Sequence, residues 1–485
     1  MEISHERKTM SQGIVDISIR QCRQDTVLRT IPGERFTPYT LARKLKAIAL
    51  LESASFHRGR ERYSILLLRP AFTVQELNGE VVMIRKEEQV QVPCKGQDML
   101  DVLQYFAEQH SEEQHPFPFP VGGIGYLSYE YATRFDTVSL RHKDDTLGLP
   151  DAFFMFGHVF VVFDHYTDRL TLVGVNYNED VIDLENALDE IERRINDQDF
   201  DFMTTDSSQP LVEVERMGDK KSFLEGVDFL REEIIKGNLF QAVLSRRLVV
   251  HTDLTALEAY RRLRSTNPSP YMFYLDYDEF QIFGASPEVH VKVSENRAIL
   301  RPIAGTRRRG INSAEDRMLE KELLSDEKEL AEHLMLVDLA RNDIGRVCKP
   351  GSVEVTERNV IEHYSHVIHI VSQVEGNLRF GLDGTDAVRA TFPAGTVTGA
   401  PKIQAMETLD LLESETRGFY AGIIAYVEPG GELDSCISIR SAVKKKDKLV
   451  LHAGAGIVYD SKPEQEYEET QNKLRALSSA IGVNI

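Results

Sequence analysis

Phe153-Phe154-Met155-Phe156-Gly157-His158-Val159-Phe160-Val161-Val162-Phe163, then Asp164-His165-Tyr166-Thr167-Asp168, then Arg169-Leu170-Thr171-Leu172-Val173-Gly174-Val175, is the stretch that decides the fold. Its outer segments are rich in β-branched and aromatic residues, and the five residues between them are mostly polar. Such a run reads as two antiparallel strands closed by a short turn. The signature recurs along the chain. Segments 63–68 and 81–84 are strand-like, with Asn78-Gly79 marking a hairpin turn. Segments 437–443 and 449–453 flank the polar turn 444–448. Further strands are expected at 242–250, 271–277, 279–283 and 367–374, and helices at 38–51, 181–195, 220–236, 326–341 and 463–479. Strands joined by short turns, without strict strand–helix alternation, imply a mostly antiparallel α+β fold.

Four parts are expected: an extension over 1–34, a region over 35–195, a linker over 196–212 rich in Asp, Ser, Thr and Gln, and a region over 213–485. With 42% apolar residues among 485, the chain can bury a substantial core. Lys and Arg number 57 against 77 Asp and Glu, a net charge of −20 that disfavours a nucleic-acid backbone or an anionic membrane as partner. A small anionic substrate remains open, because a few local cations decide that. Cys22, Cys94, Cys348 and Cys436 form no CxxC pair, so reduced thiols in a cytoplasmic protein are expected. The polar start lacks the apolar core of a signal peptide. The strongest apolar stretch, 153–163, is shorter than the ~20 residues a bilayer requires.

Several residues could carry chemistry. Glu332 shares a helical face with Leu336 and Leu339, either as a boundary residue or as a metal ligand. Ser461 and Glu464 fit a capping box opening the last helix, as Asp326 and Glu329 do for the earlier one. In the last helix Glu466, Glu469 and Lys473 fall on one face, which suits either a solvated ion-pair row or a carboxylate site for Mg²⁺. His363, His366 and His369 are spaced by three, yet 367–374 reads as a strand, so the trio cannot converge on a metal. His369 is left as a lone imidazole suited to proton transfer or to a structural hydrogen bond. Arg440, read as a strand residue between Ser438 and Ala442, could clamp a carboxylate or simply blunt a sheet edge. Gly305, Gly454 and Gly456 allow close backbone approach to a ligand, but Tyr459 spoils a dinucleotide fingerprint after the strand. The loop 393–402, leading into a helix, also favours an anion. Together these features point to a site for a small polycarboxylate and specify no reaction.

Five runs make the sequence recognisable: Pro302-Ile303-Ala304-Gly305-Thr306-Arg307, the helix from Glu332 to Asp343, Tyr364-Ser365-His366-Val367-Ile368-His369, the loop 391–402, and Gly454-Ala455-Gly456 on to Glu469-Thr470 and Lys473. They resemble the chorismate-utilising enzymes, and within them the anthranilate synthase large subunits, over essentially all of 213–485. The resemblance implies two orthogonally packed, mostly antiparallel β-sheets with helices outside. It implies Mg²⁺ carboxylates at Glu332 and Glu469 with Glu466 in support, a general acid at Glu288, and a histidine for pyruvate elimination at His369. It also implies chorismate contacts from Gly305, Thr306, Thr396, Tyr420, Arg440, Gly454, Gly456 and Lys473. Gln241 stands where isochorismate and salicylate synthases carry a water-activating lysine, and an amide cannot be that base, so ammonia is the favoured nucleophile. Ala304 stands where many aminodeoxychorismate synthases carry a nucleophilic lysine. Leu51, Glu52, Ser53, Pro270, Tyr271, Met272, Tyr426 and Cys436 resemble a tryptophan feedback site. The implied reaction is chorismate plus ammonia to anthranilate and pyruvate, the first step of tryptophan biosynthesis. The ammonia would come from a separate glutamine amidotransferase subunit, in a heterotetramer. The alternatives are an aminodeoxychorismate synthase large subunit or a non-catalytic tryptophan-binding subunit. The chain departs from the family at Arg307-Arg308-Arg309, where a proline often interrupts the basic run.

Overall fold

The computed structural model describes residues 15, 17, 22–23, 25–53, 62–77, 79–92, 97–141, 143, 146–197, 210–364 and 367–483. Asn78, Cys94, His366 and most of the 196–212 linker therefore lie outside the described residues. Helices flank a sheet whose strand pairings are all antiparallel among those residues, as in Ala152–Asp164 with Arg169–Gly174 and Gln241–Thr252 with Lys448–Ile457. Side chains alternate across the strands, so each strand feeds two cores. Along Tyr271–Asp276, Met272 and Tyr274 enter one apolar cluster while Phe273 and Leu275 enter the other. Strands from before and after the 196–212 segment pair directly: Ala49–Glu52 with Tyr271–Asp276, and Ile124–Leu127 with Ile423–Val427.

Three sequence expectations need correction. The helix expected over 38–51 is only Pro38–Leu45, capped by Thr37 and stopped by Lys46 at φ 57°. Ala49–Glu52 is a strand, because pairing on both sides, with Tyr63–Leu77 and Tyr271–Asp276, overrides the helix preference of its leucines. The strand expected over 437–443 is broken into Leu433–Ile437 and Ser441–Lys445, and Arg440 sits in the break at φ 49°. The last helix, Pro463–Ala480, has Lys462 at its N-cap with no side-chain cap, while Ser461 instead accepts the Val458 N–H at 3.0 Å. The remaining expected helices form, as Leu184–Asn196, Lys220–Ile235 and Glu327–Gly345.

One buried residue pins the elements that matter below. Arg417 donates from Nη1 to the Val397 carbonyl at 2.8 Å and from Nη2 to the Val243 carbonyl at 2.6 Å. It also forms a two-point pair with Glu413 at 2.8 Å and lies over the Tyr129 ring at 4.5 Å. Glu413 in turn accepts from the Ser245 N–H and hydroxyl. Replacing the guanidinium leaves Glu413 buried without its cation, so Arg417→Met is expected to lose about 3–5 kcal/mol, read as a lowered urea midpoint.

Candidate active site

A cavity of about 1120 Å³ opens at the pairing of Gln241–Thr252 with Lys448–Ile457. Its floor is built on two glycines. Gly454 and Gly456 lie inside the second strand, opposite Ser245 and Val243, and not in a loop after it as the sequence suggested. A Cβ on Gly454 would stand 2.9 Å from the Tyr420 Oη and from Val243 Cγ1, and one on Gly456 would stand 2.9 Å from the Gln241 amide nitrogen. Gln241, Tyr420, Gly454 and Gly456 thus form one wall.

A second wall comes from the pairing of Ile303–Arg308 with Val367–Asn377. The register slips between Ala304 and Thr306, and Gly305 occupies the slip at φ 62°, a conformation that costs glycine least. The slip aims the Gly305 carbonyl at His369, whose Nδ1 lies 3.0 Å from it and 3.2 Å from the Thr306 hydroxyl. The Nδ1–H therefore donates to that carbonyl, and Nε2 is the lone-pair nitrogen, buried with no hydrogen-bond partner among the described residues. Burial, followed by Arg440, lowers the imidazole pKa to about 4 against the pull of the Gly305 carbonyl, so it is neutral. Tyr364 meets the ring edge-on at 5.2 Å.

Glu288 follows the strand Gln281–Ser286, and Thr396 comes from the short turn Gly395–Val397. Burial raises the Glu288 pKa to about 7, against the opposing pull of the Thr396 hydroxyl and the Arg440 charge. At neutral pH this carboxyl is poised to give up a proton. Arg440 is half-buried, and among the described residues its guanidinium has no hydrogen-bonded carboxylate, so it can take up an anion.

The rim is acidic. Glu332, from the helix Glu327–Gly345, and Glu469 and Lys473, from Pro463–Ala480, line the cavity, while Glu466 stands beside it. Lys473 pairs with Glu469 at 2.7 Å and donates to the Gly454 carbonyl at 2.8 Å. Burial raises the Glu332 pKa, and Glu329, Glu469 and Glu466 add to the rise. Glu466 is raised by burial and by Glu469. No group of three or more potential ligands converges tightly enough to cage a metal among the described residues. Mutually repelling carboxylates nevertheless fit Mg²⁺, which takes one or two of them and completes its shell with water and substrate oxygens.

The histidine trio does not gather: His363 bonds Glu320 at 2.7 Å, away from His369, and His366 lies outside the described residues. The basic run finds separate partners, Arg307 with Glu329, Glu322 and Asp326, Arg308 with Glu315, and Arg309 with Asp316. A smaller cavity of about 150 Å³ is lined by all eight residues expected at an effector site: Leu51, Glu52, Ser53, Pro270, Tyr271, Met272, Tyr426 and Cys436. There Glu52 is held by the Tyr260 hydroxyl at 2.7 Å and by Arg264 at 2.9 Å.

The family pattern described as chorismate binding enzyme matches residues 58–479. The chain belongs to the chorismate-binding enzymes. Anthranilate synthase component 1 of Spirochaeta aurantia is 54% identical over 464 residues, 95% of this chain and 96% of its own. The protein of that name from Cereibacter sphaeroides is 40% identical over 92% of each. The crystal structure of anthranilate synthase component I from Streptococcus pneumoniae TIGR4 matches with a TM-score of 0.77 at 36% identity, over 88% of this chain and 94% of that one.

For a chorismate-binding enzyme, the sequence understated the rim and the supports. Thr266, Asn267 and Pro268 line the larger cavity, and His452 stacks on Tyr420 at 5.0 Å. Asn267 and Pro268 belong to the run 267–272 that resembles a feedback site, yet they face this cavity and not the smaller one, while Thr266 and His452 carry no sequence signal beyond polarity. Gly454→Ala is expected to keep the far-ultraviolet circular dichroism of the parent while displacing Tyr420, at a cost of about 1–3 kcal/mol. Calorimetric titration should then show chorismate bound about tenfold more weakly.

Proposed function

We propose that this chain is the large subunit of an anthranilate synthase, converting chorismate and ammonia to anthranilate and pyruvate through an aminated intermediate in tryptophan biosynthesis. The observation that carries this reading is one cavity holding a carboxyl poised near neutrality, a neutral imidazole and a half-buried guanidinium with no carboxylate partner among the described residues, in a chain 54% identical to a named anthranilate synthase component 1.

Arg440 takes a substrate carboxylate, and Lys473 supplies a second cation at the rim. Glu288 gives its proton to the departing ring hydroxyl, which leaves as water. Gln241 lines the same space but has no basic atom with which to activate water, which leaves ammonia to attack. In the second stage the Nε2 of His369 accepts a ring proton as the ether C–O bond breaks and the ring becomes aromatic, and the departing enolpyruvate takes a proton on its methylene carbon to become pyruvate. Mg²⁺, held by Glu332 and Glu469 with Glu466 close by, would neutralise the ring carboxylate and ease loss of the hydroxyl. Tryptophan occupies the smaller cavity as feedback inhibitor, where Ser53 offers a buried hydroxyl without a partner among the described residues. A separate glutamine amidotransferase subunit supplies the ammonia in a heterotetramer. The protein is cytoplasmic; no helix among the described residues is long and apolar enough to cross a membrane.

Incubating the purified chain with chorismate, Mg²⁺ and an ammonium salt should produce anthranilate fluorescence that disappears on adding tryptophan or a chelator. Consumption of chorismate to a non-fluorescent amine would instead move the chain to aminodeoxychorismate synthesis, and tryptophan binding without turnover would make it a regulatory subunit. His369→Ala should accumulate the aminated intermediate, visible by chromatography. Equal loss of both stages with no intermediate would remove His369 from its role.

A further inference from the structure

His290 lies two residues beyond Glu288, is buried, and takes no part in the steps above. The strand Val289–Ser294 pairs with Leu433–Ile437, and its register slips between Val289 and Val291, opposite Cys436 and Ser435. His290 is therefore the extra residue of a β-bulge, a device that re-aims neighbouring groups. At the same place the Ile437 N–H donates to the Glu288 carbonyl at 3.0 Å, which fixes the backbone of the acid to the partner strand.

The imidazole bridges two elements. Its Nδ1 lies 3.2 Å from the Ser435 hydroxyl, and its Nε2 lies 3.2 Å from the Thr391 hydroxyl. Ser435 gives its own proton to the Val291 carbonyl at 2.7 Å, so it accepts from Nδ1–H. Nε2 is then the acceptor for a Thr391 hydroxyl that is shared with the Ala387 carbonyl. Thr391 ends the helix Gly384–Thr391 and leads into the segment 392–402, which places Thr396 beside Glu288 on the wall of one small space. Behind Glu288 only about 30 Å³ remains, bounded by these same residues, so the loop has little freedom once the bridge is made. Burial, with Lys402 nearby, lowers the His290 pKa to about 3 and keeps the bridge neutral.

We infer that His290 is a positioning residue for Glu288: it ties the bulged strand that carries the acid to the loop that carries Thr396. The inference rests on the reading of Glu288 as the acid for the departing hydroxyl. A positioning residue of this kind changes turnover more than binding, because Arg440 and the glycine floor stay where they are.

The test uses the full chain with chorismate, Mg²⁺ and ammonium, comparing the parent with His290→Ala, His290→Asn, Thr391→Val and the His290→Ala/Thr391→Val pair. Expected is a loss of about tenfold in kcat for His290→Ala and Thr391→Val, with KM for chorismate within about twofold of the parent. The pair should be no worse than either single change, since both break one bridge, and His290→Asn should recover part of the rate. Should His290→Ala fail to fold, the near-isosteric Thr391→Val carries the comparison alone. Parental kcat in the single variants, losses that multiply in the pair, or a rise in KM that accounts for the loss would overturn the inference. An inactive parent would overturn the reading of the reaction, and the inference with it.

Discussion

The Arg417 guanidinium is the contact on which the larger cavity depends. It reaches the carboxylate of Glu413, close by in sequence, the carbonyl of Val397, and the carbonyl of Val243 far away in sequence. Val243 belongs to the strand that carries Gln241, and Val397 follows Thr396, so a single planar group sets the distance between two walls. A hydrophobic residue of the same size could fill the volume but could not satisfy two buried carbonyls and an acid. Its own backbone is held as well, by Glu130, which accepts the N–H groups of Arg417 and Gly418. The fold therefore invests a buried ion pair where geometry, more than stability, is at stake.

Within the cavity so formed, one cause produces two opposite dispositions. Burial disfavours charge, which pushes an acid up and a base down. Glu288 rises to about 7 and so keeps a proton to give, while His369 falls to about 4 and so keeps a lone pair to use. Arg440 presses the same way on His369 and the opposite way on Glu288, and in both cases it is the smaller influence. At the rim the balance differs: Glu332 is raised by burial and by the charges of Glu329, Glu469 and Glu466, and Glu466 by burial and by Glu469, the condition under which a divalent cation gains most. Lys473 already offsets part of that repulsion through Glu469.

Much of this was legible in the sequence, and the exceptions have physical reasons. The hairpin at 152–174 and the helices at 220–235 and 327–345 follow from local pattern, the hairpin from its β-branched and aromatic runs around a polar turn and the helices from their stretches of helix-forming residues. Ala49–Glu52 does not, because its conformation is decided by strands far along the chain. Arg440 reads as a strand residue because it falls inside the strand-like run 437–443, whereas its positive φ is visible only in three dimensions. The glycines at 454 and 456 signalled close approach correctly but not its object, which is the protein's own Tyr420 and Gln241. Arg417 and His290 were passed over because a lone charged or polar residue ordinarily marks a surface, and burial is the fact that changes their meaning.

The two cavities are built from the same segments. Thr266, Asn267 and Pro268 face the larger one, and Pro270, Tyr271 and Met272 face the smaller. Along the next shared segment Asp434, Ser435 and Cys436 line the smaller cavity, and Ile439 and Arg440 line the larger. A strand in an antiparallel ladder cannot slide by one residue without exchanging its faces, and these strands are buried on both. Any communication between the cavities must therefore run through displacements smaller than a register step, acting on groups whose function is sensitive to position. Glu288 is such a group, since its carbonyl is bonded to Ile437, the residue that directly follows the smaller cavity's wall. A ligand seated against Cys436 and Ser435 can bias the larger cavity only to the extent that it binds one placement of this strand better than another.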